Sequence, residues 1–435
     1  MSGSATVSLR RVRSKTDWAV PVFIWLLLAG AAQSEDVPGI VDFLGVSGSG
    51  RVSFFSKDSS FVDDPGVECD SVWVTARPRQ FDGITTFFDA RIQCQFVSGN
   101  SKVAADLREG YADVNLVNWD LKAGRQITIW GRADKINPTD VWSVRDYKLL
   151  TTDDGDQQLG ALEVQSSWSW GAYRLISIWQ PEWRAPVLPI PPFPRGTSIS
   201  NESVQDRSDQ LGFKIDHSGS GMDWSMAYAH TIDRTPNLAL LSAGPHGEAL
   251  GLNYVGEDML GADFAAQLAK FGFRGEAAYT NAHNDEGLNP LAQDSNVFAV
   301  IGIERTWDGV FNLNAQYLFR RTFDFRNSSG IADPTVELLA QEERVISNQL
   351  SPNMAGASVR LDYTAMNQTL EAELAAAMWF TKRDSVVTAK LTYAFTDRVT
   401  GIVGANVWSG PLDSYFGQLR RTTAVFVEFR YGFGG

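Results

Sequence analysis

Near its end the chain reads Val425-Phe426-Val427-Glu428-Phe429-Arg430-Tyr431-Gly432-Phe433, and the side chains alternate. On an extended backbone successive Cβ atoms point to opposite faces. Val425, Val427, Phe429, Tyr431 and Phe433 therefore share one face, and Phe426, Glu428, Arg430 and Gly432 the other. One face suits lipid and the other water. The same period of two runs through Phe311, Leu313, Ala315, Tyr317 and Phe319 against Asn312, Asn314, Gln316 and Arg320. It returns in Val387, Ala389, Leu391, Tyr393 and Phe395 against Thr388, Lys390 and Thr392. Even the alanine-rich run obeys it: Leu370, Ala372, Leu374, Ala376 and Met378 alternate with Glu371, Glu373, Ala375 and Trp379, a separation that a helix would destroy.

Strands of about ten residues with this dyad pattern, separated by turn residues, are the signature of a transmembrane antiparallel β-barrel. A soluble sandwich shares the alternation, but its strands are shorter and fewer. Turn signals fall near Asp82-Gly83, Trp119-Asp120, Trp170-Gly171, Ser218 to Gly221, Phe271-Gly272, Asp308-Gly309, Met366-Asn367 and Thr396-Asp397. Longer polar intervals lie between them, at 56–69, 97–106, 131–158, 180–208, 231–258, 282–295, 321–352, 381–384 and 409–419. This alternation predicts an all-β fold of about eighteen strands, with short periplasmic turns and long extracellular loops. Dropping the hairpin formed by 44–55 and 70–79 leaves sixteen. Trp119, Trp170 and Trp307 by the short turns, and Trp130, Trp179, Trp379 and Trp408 near the opposite strand ends, fit two interfacial girdles.

Composition agrees. The 435 residues are 44% hydrophobic, with 38 Gly and a formal net charge of −13, which excludes a disordered chain. The 51 acids against 38 bases exclude nucleic acid as a partner, since phosphate binding needs surplus Lys and Arg. Residues 1–34 read as a secretory signal peptide: Arg10, Arg11, Arg13 and Lys15 form the positive segment, Trp18 to Ala32 the apolar core, and Ala32-Gln33-Ser34 the cleavage site. Removing their net +3 from −13 leaves −16 on residues 35–435, the expected barrel. Beyond this segment no apolar run is long enough for a spanning helix.

The two cysteines probe the register. In a hairpin folded about Phe81-Asp82, Cys69 and Cys94 oppose each other and a disulfide is expected. If the turn centres on Asp82-Gly83 instead, the register slips and two separate thiols result. A zinc site does not fit two such Cys and four scattered His, at 217, 230, 246 and 283.

The most specific local sequence is Trp119-Asp120-Leu121-Lys122-Ala123-Gly124-Arg125-Gln126, continuing through Trp130-Gly131-Arg132-Ala133-Asp134, Ile136-Asn137-Pro138-Thr139-Asp140 and Arg145-Asp146-Tyr147. Here the chain resembles the porin-like outer-membrane barrels of Gram-negative bacteria known chiefly by a domain of unknown function, with a GRQ strand followed by WGxxDxINPxD and RDY. Leu107 to Tyr111 and Asp258 to Phe264 resemble that family's strand motifs. The resemblance implies the fold and the outer membrane, and says little about cargo.

Physically, the signature describes a strand that leaves the membrane and enters a structured loop. Asn137-Pro138 favours a turn, and Asp140 can cap a short helix carrying Val141, Trp142 and Tyr147. Arg132, Asp134, Asp140, Arg145, Asp146 and Lys148 form either a mixed-charge constriction or a salt-bridged lid. Arg125 is out of phase: alternation sends it to the lipid face, unless a bulge near Gly124 turns it inward or its head reaches the interface. Asp333-Pro334-Thr335, with Val336, Leu339, Ala340 and Ile346, reads as a capped amphipathic helix. Asp153-Asp154-Gly155-Asp156 reads as a solvated loop, because no full calcium-loop spacing follows.

The inward faces should carry function. Acids there are Glu109, Asp113, Glu163, Asp216, Asp223, Asp263, Glu276, Glu304, Asp362, Glu371, Glu373 and Glu428; bases are Lys122, Lys214, Arg274, Arg320, Arg360, Lys390 and Arg430. Rings of charge tune pores, so a wet lumen of mild cation preference is expected, less marked if neighbours such as Arg360 and Asp362 or Arg274 and Glu276 pair. The expected protein is a channel for passive or substrate-selective diffusion of small solutes, without cofactor or catalysis, in contact with lipid, lipopolysaccharide and the barrel-assembly machinery. Alternatives are a carrier of hydrophobic molecules, suggested by the Pro-rich apolar stretch Pro186 to Pro194, and less readily a barrel hydrolase or adhesin. Oligomeric state is not legible.

Overall fold

The computed structural model describes residues 43–57, 66–78, 83–97, 100–188, 197–204, 209–244, 247–284 and 287–434. The expected signal peptide and Pro189 to Pro194 of the Pro-rich stretch lie outside the described residues. The strands in the first half are β1 (Val46–Ser56), β2 (Val67–Ala76), β3 (Ile84–Val97), β4 (Asn100–Asn115), β5 (Trp119–Gln126), β6 (Val144–Arg145), β7 (Gln158–Leu159), β8 (Ala161–Trp170), β9 (Tyr173–Gln180), β10 (Thr197–Val204), β11 (Gln210–His217) and β12 (Met222–Ile232). There follow β13 (Asn237–Gly244), β14 (Gly247–Tyr254), β15 (Gly256–Leu268), β16 (Phe271–Asn281), β17 (Asn296–Trp307), β18 (Phe311–Thr322), β19 (Asn353–Ala365), β20 (Leu370–Trp379), β21 (Asp384–Ala394), β22 (Val399–Ser409) and β23 (Ala424–Gly434), with helix α1 (Pro334–Ile346) before β19.

Eighteen strands, all except β6, β7, β10, β13 and β14, pair antiparallel with their neighbours. β23 then closes the sheet on β1, from Ser47 opposite Gly434 to Phe55 opposite Phe426. Closure removes both edges, so every strand has ladder partners on both sides. The first hairpin is part of the wall and the count is eighteen. No helix among the described residues is long and apolar enough to cross a membrane.

The dyad pattern sorts the faces. Phe54, Leu107, Phe213, Leu260, Ile301, Tyr317, Leu374, Val403 and Phe429 are all exposed on the outside, while Glu163, Asp263, Glu276, Asn314, Gln316 and Glu428 are buried within. A continuous apolar exterior of this extent far exceeds the patches that a water-soluble monomer leaves open.

On one rim the connections are 77–83, 116–118, 171–172, 218–221, 269–270, 308–310, 366–369 and 395–398; on the other they include 127–160, 181–209, 233–255, 282–295, 323–352 and 410–423. Four details differ from the sequence reading. Trp130 and Trp379 are buried in interior clusters and do not stand in an outer girdle. The interval 97–106 is mostly strand, because β3 and β4 pair out to Val97 opposite Asn100; polar residues continue a ladder where they stand in water. Residues after Asp140 form no helix: Val144 and Arg145 pair with Leu159 and Gln158. The cysteines are free. β2 pairs with β3 so that Cys69 faces Gln95 and Asp70 faces Cys94, the slipped register. A one-residue offset sends the two thiols to opposite faces of the sheet, with Cys69 taking a hydrogen bond from the Gln93 amide.

Over the long-connection rim sits a cap. β14 pairs with β10 and β13, and α1 packs Leu339 and, at its edge, Ile346 against Leu238, Leu250, Leu252 and Tyr254 of that sheet. The Asp333 carboxylate accepts from the amides of Thr335 and Val336, and Pro334 opens the helix, as expected of that sequence.

Candidate functional site

Residues 127–160 turn into the barrel and cross it. The turn is possible because of two glycines. Gly131 has φ +104, and a Cβ there would lie 2.5 Å from the Glu276 carboxylate. That carboxylate, on β16, accepts the amides of Arg132, Ala133 and Thr139 and the Thr139 hydroxyl at 2.7–3.0 Å. Gly212 on β11 leaves the space that Trp142 fills. Trp130 and Trp142 meet edge to face at 5.4 Å and bury themselves against Ile178, Ala227, Ala229, Met259 and Ala278 of the inner wall. An apolar patch on one side of the lumen thus anchors the loop.

Charge anchors its remainder. Arg132 reaches three carboxylates, Asp263 at 2.6 Å, Asp216 at 3.3 Å and Asp223 at 3.6 Å, with Lys214 beside Asp216. Asp134 pairs with Arg360 at 3.2 Å, and Lys135 bridges Glu373 and Asp154. Asp153 takes Lys390 at 3.1 Å and Arg430 at 2.8 Å; Asp156 takes Arg51 at 2.6 Å. Burial pushes the Asp153 carboxyl up, but the hydrogen bonds and charges of Arg430 and Lys390 outweigh it and hold the group below its ordinary value. Asp153 to Asp156 therefore form a docked turn, which corrects the reading of a solvated loop. Its carboxylates meet cations from β1, β21 and β23 that no local spacing reveals.

Of the six residues proposed for a constriction or lid, Arg132 and Asp134 stand in the lumen as described, and Lys148 is exposed with no ion pair among the described residues. Asp146 lies 3.9 Å from Arg91. Asp140 forms no ion pair among the described residues and is spent on the loop's own backbone. Half-buried against the loop, it accepts the amides of Trp130 and Ser143, and desolvation pushes its carboxyl up to about 7. The Arg145 backbone ties the loop to Gln158 and Val187, and its side chain forms no ion pair among the described residues.

The strand residues read as inward lie on the inner face. Asp113 is opposite Lys122, whose ammonium sits 4.3 Å over the Tyr111 ring, and Glu109 accepts the Ile127 amide where the loop begins. Arg274 pairs with Glu304 at 2.8 Å rather than with Glu276, Arg360 with Asp362 at 3.2 Å, and Arg430 with Glu428 at 2.6 Å. Glu371 is exposed, with no ion pair among the described residues. Arg320 serves the cap: it donates to the carbonyls of Ser347 and Asn348 at 3.1 Å. Arg125 keeps its outward phase and reaches the rim, bonding Glu182 and the Gly160 carbonyl. Sequence reasoning missed Lys135, Arg51 and Arg91. Their partners lie on distant segments, and a lone Lys or Arg in a loop or strand carries no local signal for such docking.

His217, His230 and His283 lie among the described residues. His217 stacks on Trp224, while His230 and His283 both contact Asp258, which also accepts from Tyr228. No group of His, Cys, Asp and Glu among the described residues is arranged to hold a metal.

Three solved porin-type structures from Pseudomonas aeruginosa share the architecture. OpdK, solved with vanillate, aligns at TM-score 0.53 and 9% identity, covering 90% of this chain and 98% of its own. OccD3 (OpdP) aligns at 0.51 and 8%, covering 91% and 92%, and OccK5 (OpdH) at 0.50 and 8%, covering 90% and 98%. At these identities the likeness is one of fold. None of the curated proteins matches the sequence. A family profile described as a protein of unknown function, DUF1302, matches residues 86–400, from β3 through the inward loop to the start of β22. The chain belongs to the DUF1302 family.

Proposed function

We propose that the protein is an outer-membrane channel through which small solutes diffuse past the inward loop in a wet, charged lumen. The observation that carries this reading is the pairing of a closed barrel, apolar on its outside, with an inner wall of ionised side chains. Lipid around and water within satisfy both faces together. The short-connection rim faces the periplasm and the long-connection rim the exterior. Lipid and lipopolysaccharide contact the wall, and the barrel-assembly machinery inserts it.

Transport through such a lumen needs no cofactor and no covalent step, because selectivity arises from solvation and electrostatics along the path. The ion pairs temper the field: Arg132 and Lys214 stand against Asp216, Asp223 and Asp263, leaving one negative charge at that point of the loop. A mild cation preference follows. Single-channel current of the refolded protein in a planar bilayer under a KCl gradient tests it. Stable conductance with a reversal potential of cation sign is expected. A folded barrel that stays silent overturns the channel and shifts the reading to a carrier of hydrophobic molecules or a scaffold.

A further inference from the structure

Beside the inward loop the lumen widens into a chamber of about 540 Å³ between that loop, the inner wall of β19 to β22 and the connection 410–423. Its lining is unlike the rest of the interior. Ile136 and Leu150 of the loop, Val386 and Trp408 of the wall, and Phe416 and Leu419 of the last connection all face it. Charged groups also line it, and most are spent on each other. Asp134 pairs with Arg360 at 3.2 Å, and Asp154 with Lys135 at 3.1 Å. Lys148 is the exception: its side chain is exposed and forms no ion pair among the described residues.

We propose that this chamber binds an amphipathic monocarboxylate, a molecule with one anionic head and a compact apolar body. The proposal rests on the channel reading above and deepens it by naming the class of solute. Three features point to it. The volume falls within the range of small-molecule sites, which are mostly apolar with a few convergent polar groups. A water-filled passage for inorganic ions gains nothing from aromatic and branched walls, whereas an apolar body leaving water does. Lys148 is the lining cation that no carboxylate engages among the described residues, and it stands at the edge of the apolar surface, so an anionic head finds a partner while its body lies against Trp408 and Phe416. A dication or zwitterion finds no unpaired carboxylate there to match a second charge.

The site works by residence: the solute adsorbs in the chamber, passes the loop, and leaves without reaction. Ala377 on β20, which faces the chamber, allows the space to be filled. The full-length barrel in nanodiscs is titrated calorimetrically with 2-naphthoate, with its uncharged counterpart 2-naphthalenemethanol, and with acetate, using empty nanodiscs to subtract partition into lipid. Naphthoate is expected to saturate at one per barrel, the alcohol to bind at least tenfold more weakly, and acetate to show no saturable heat. Lys148→Gln should weaken naphthoate about tenfold, and Ala377→Trp should abolish its binding. If Ala377→Trp fails to give the heat-modifiable mobility of a folded barrel, Thr388→Phe, on the neighbouring strand β21, takes its place. The proposal is overturned if wild type shows no saturable binding, if the filled variant binds as well as wild type, or if the alcohol binds as tightly as naphthoate. The channel reading fails separately: a silent barrel that still binds naphthoate retains the site without the pore, and a conducting barrel that binds none retains the pore without the site.

Discussion

Arg132 stands among Asp216, Asp223 and Asp263, and Asp263 is almost wholly buried. Substituting Arg132 by Ala leaves these carboxylates facing Lys214 alone and removes bulk from the lumen. We expect larger conductance and a reversal potential shifted further toward potassium, measured under a KCl gradient; an unchanged potential would show that the loop does not sit in the ion path. Asp140 is a second test. Burial holds its carboxyl at about 7, against about 4 in an unfolded chain. Between those values the folded loop binds the extra proton, so its docking loses stability as pH rises from about 4 to 7, at up to about 1.4 kcal/mol per unit. Asp153 acts in the other direction. Its folded value is depressed, so its contribution is present above the ordinary carboxylate range and is lost as acid protonates it. Near-UV circular dichroism of the Trp130–Trp142 pair during thermal melts should show docking weakening toward pH 7 in wild type, with a flatter profile in Asp140→Asn. The cysteines give a third result: two titratable thiols per chain after denaturation without reductant, where a bridge would give none.

At the scale of elements, α1 and the three-stranded sheet stand over the mouth as a unit. Arg344 and Asp294 pair at 2.6 Å with both side chains almost fully buried. Truncating Arg344 to Ala strands a buried carboxylate, a loss of about 3–5 kcal/mol. Asp333→Ala removes only a cap, at about 1 kcal/mol. Amide exchange should therefore show α1 and β13 opening far more readily in Arg344→Ala than in Asp333→Ala, with the barrel strands protected in both. Equal effects would mean that the cap is held by its apolar contacts alone. The inward loop is organised otherwise, with an apolar anchor at Trp142 and ion pairs to strands distributed around the wall.

For the whole molecule, closure matters most. The pairing of β1 with β23 completes the ring, and the loop subdivides the space it encloses. Replacing 131–158 by a short Gly-Ser linker should leave the heat-modifiable mobility of the barrel intact and raise conductance several-fold, as read in a planar bilayer. Loss of folding instead would make the loop part of the core.

The strands, their faces and the capped helix were legible because each depends on near neighbours. Val427 and Phe429 alternate with Glu428 and Arg430 whatever lies across the sheet, and Asp333 caps a helix that begins at the next residue. The even strand count and closed wall follow, since a strand with one lipid face and one wet face is stable only in a ring. What the local pattern did not contain was register and docking. Cys69 against Gln95 rather than Cys94 depends on one residue of hairpin slip. Asp140 lies against the loop instead of capping a helix because Trp130 and Trp142 bury themselves against β9, β12, β15 and β16. Whether Asp153 is solvated or locked between Lys390 and Arg430 depends on strands more than two hundred residues away. Periodicity is a property of the backbone and is written along the chain. The lumen is made by side chains that meet only after the ring has closed, so its contacts belong to the tertiary structure.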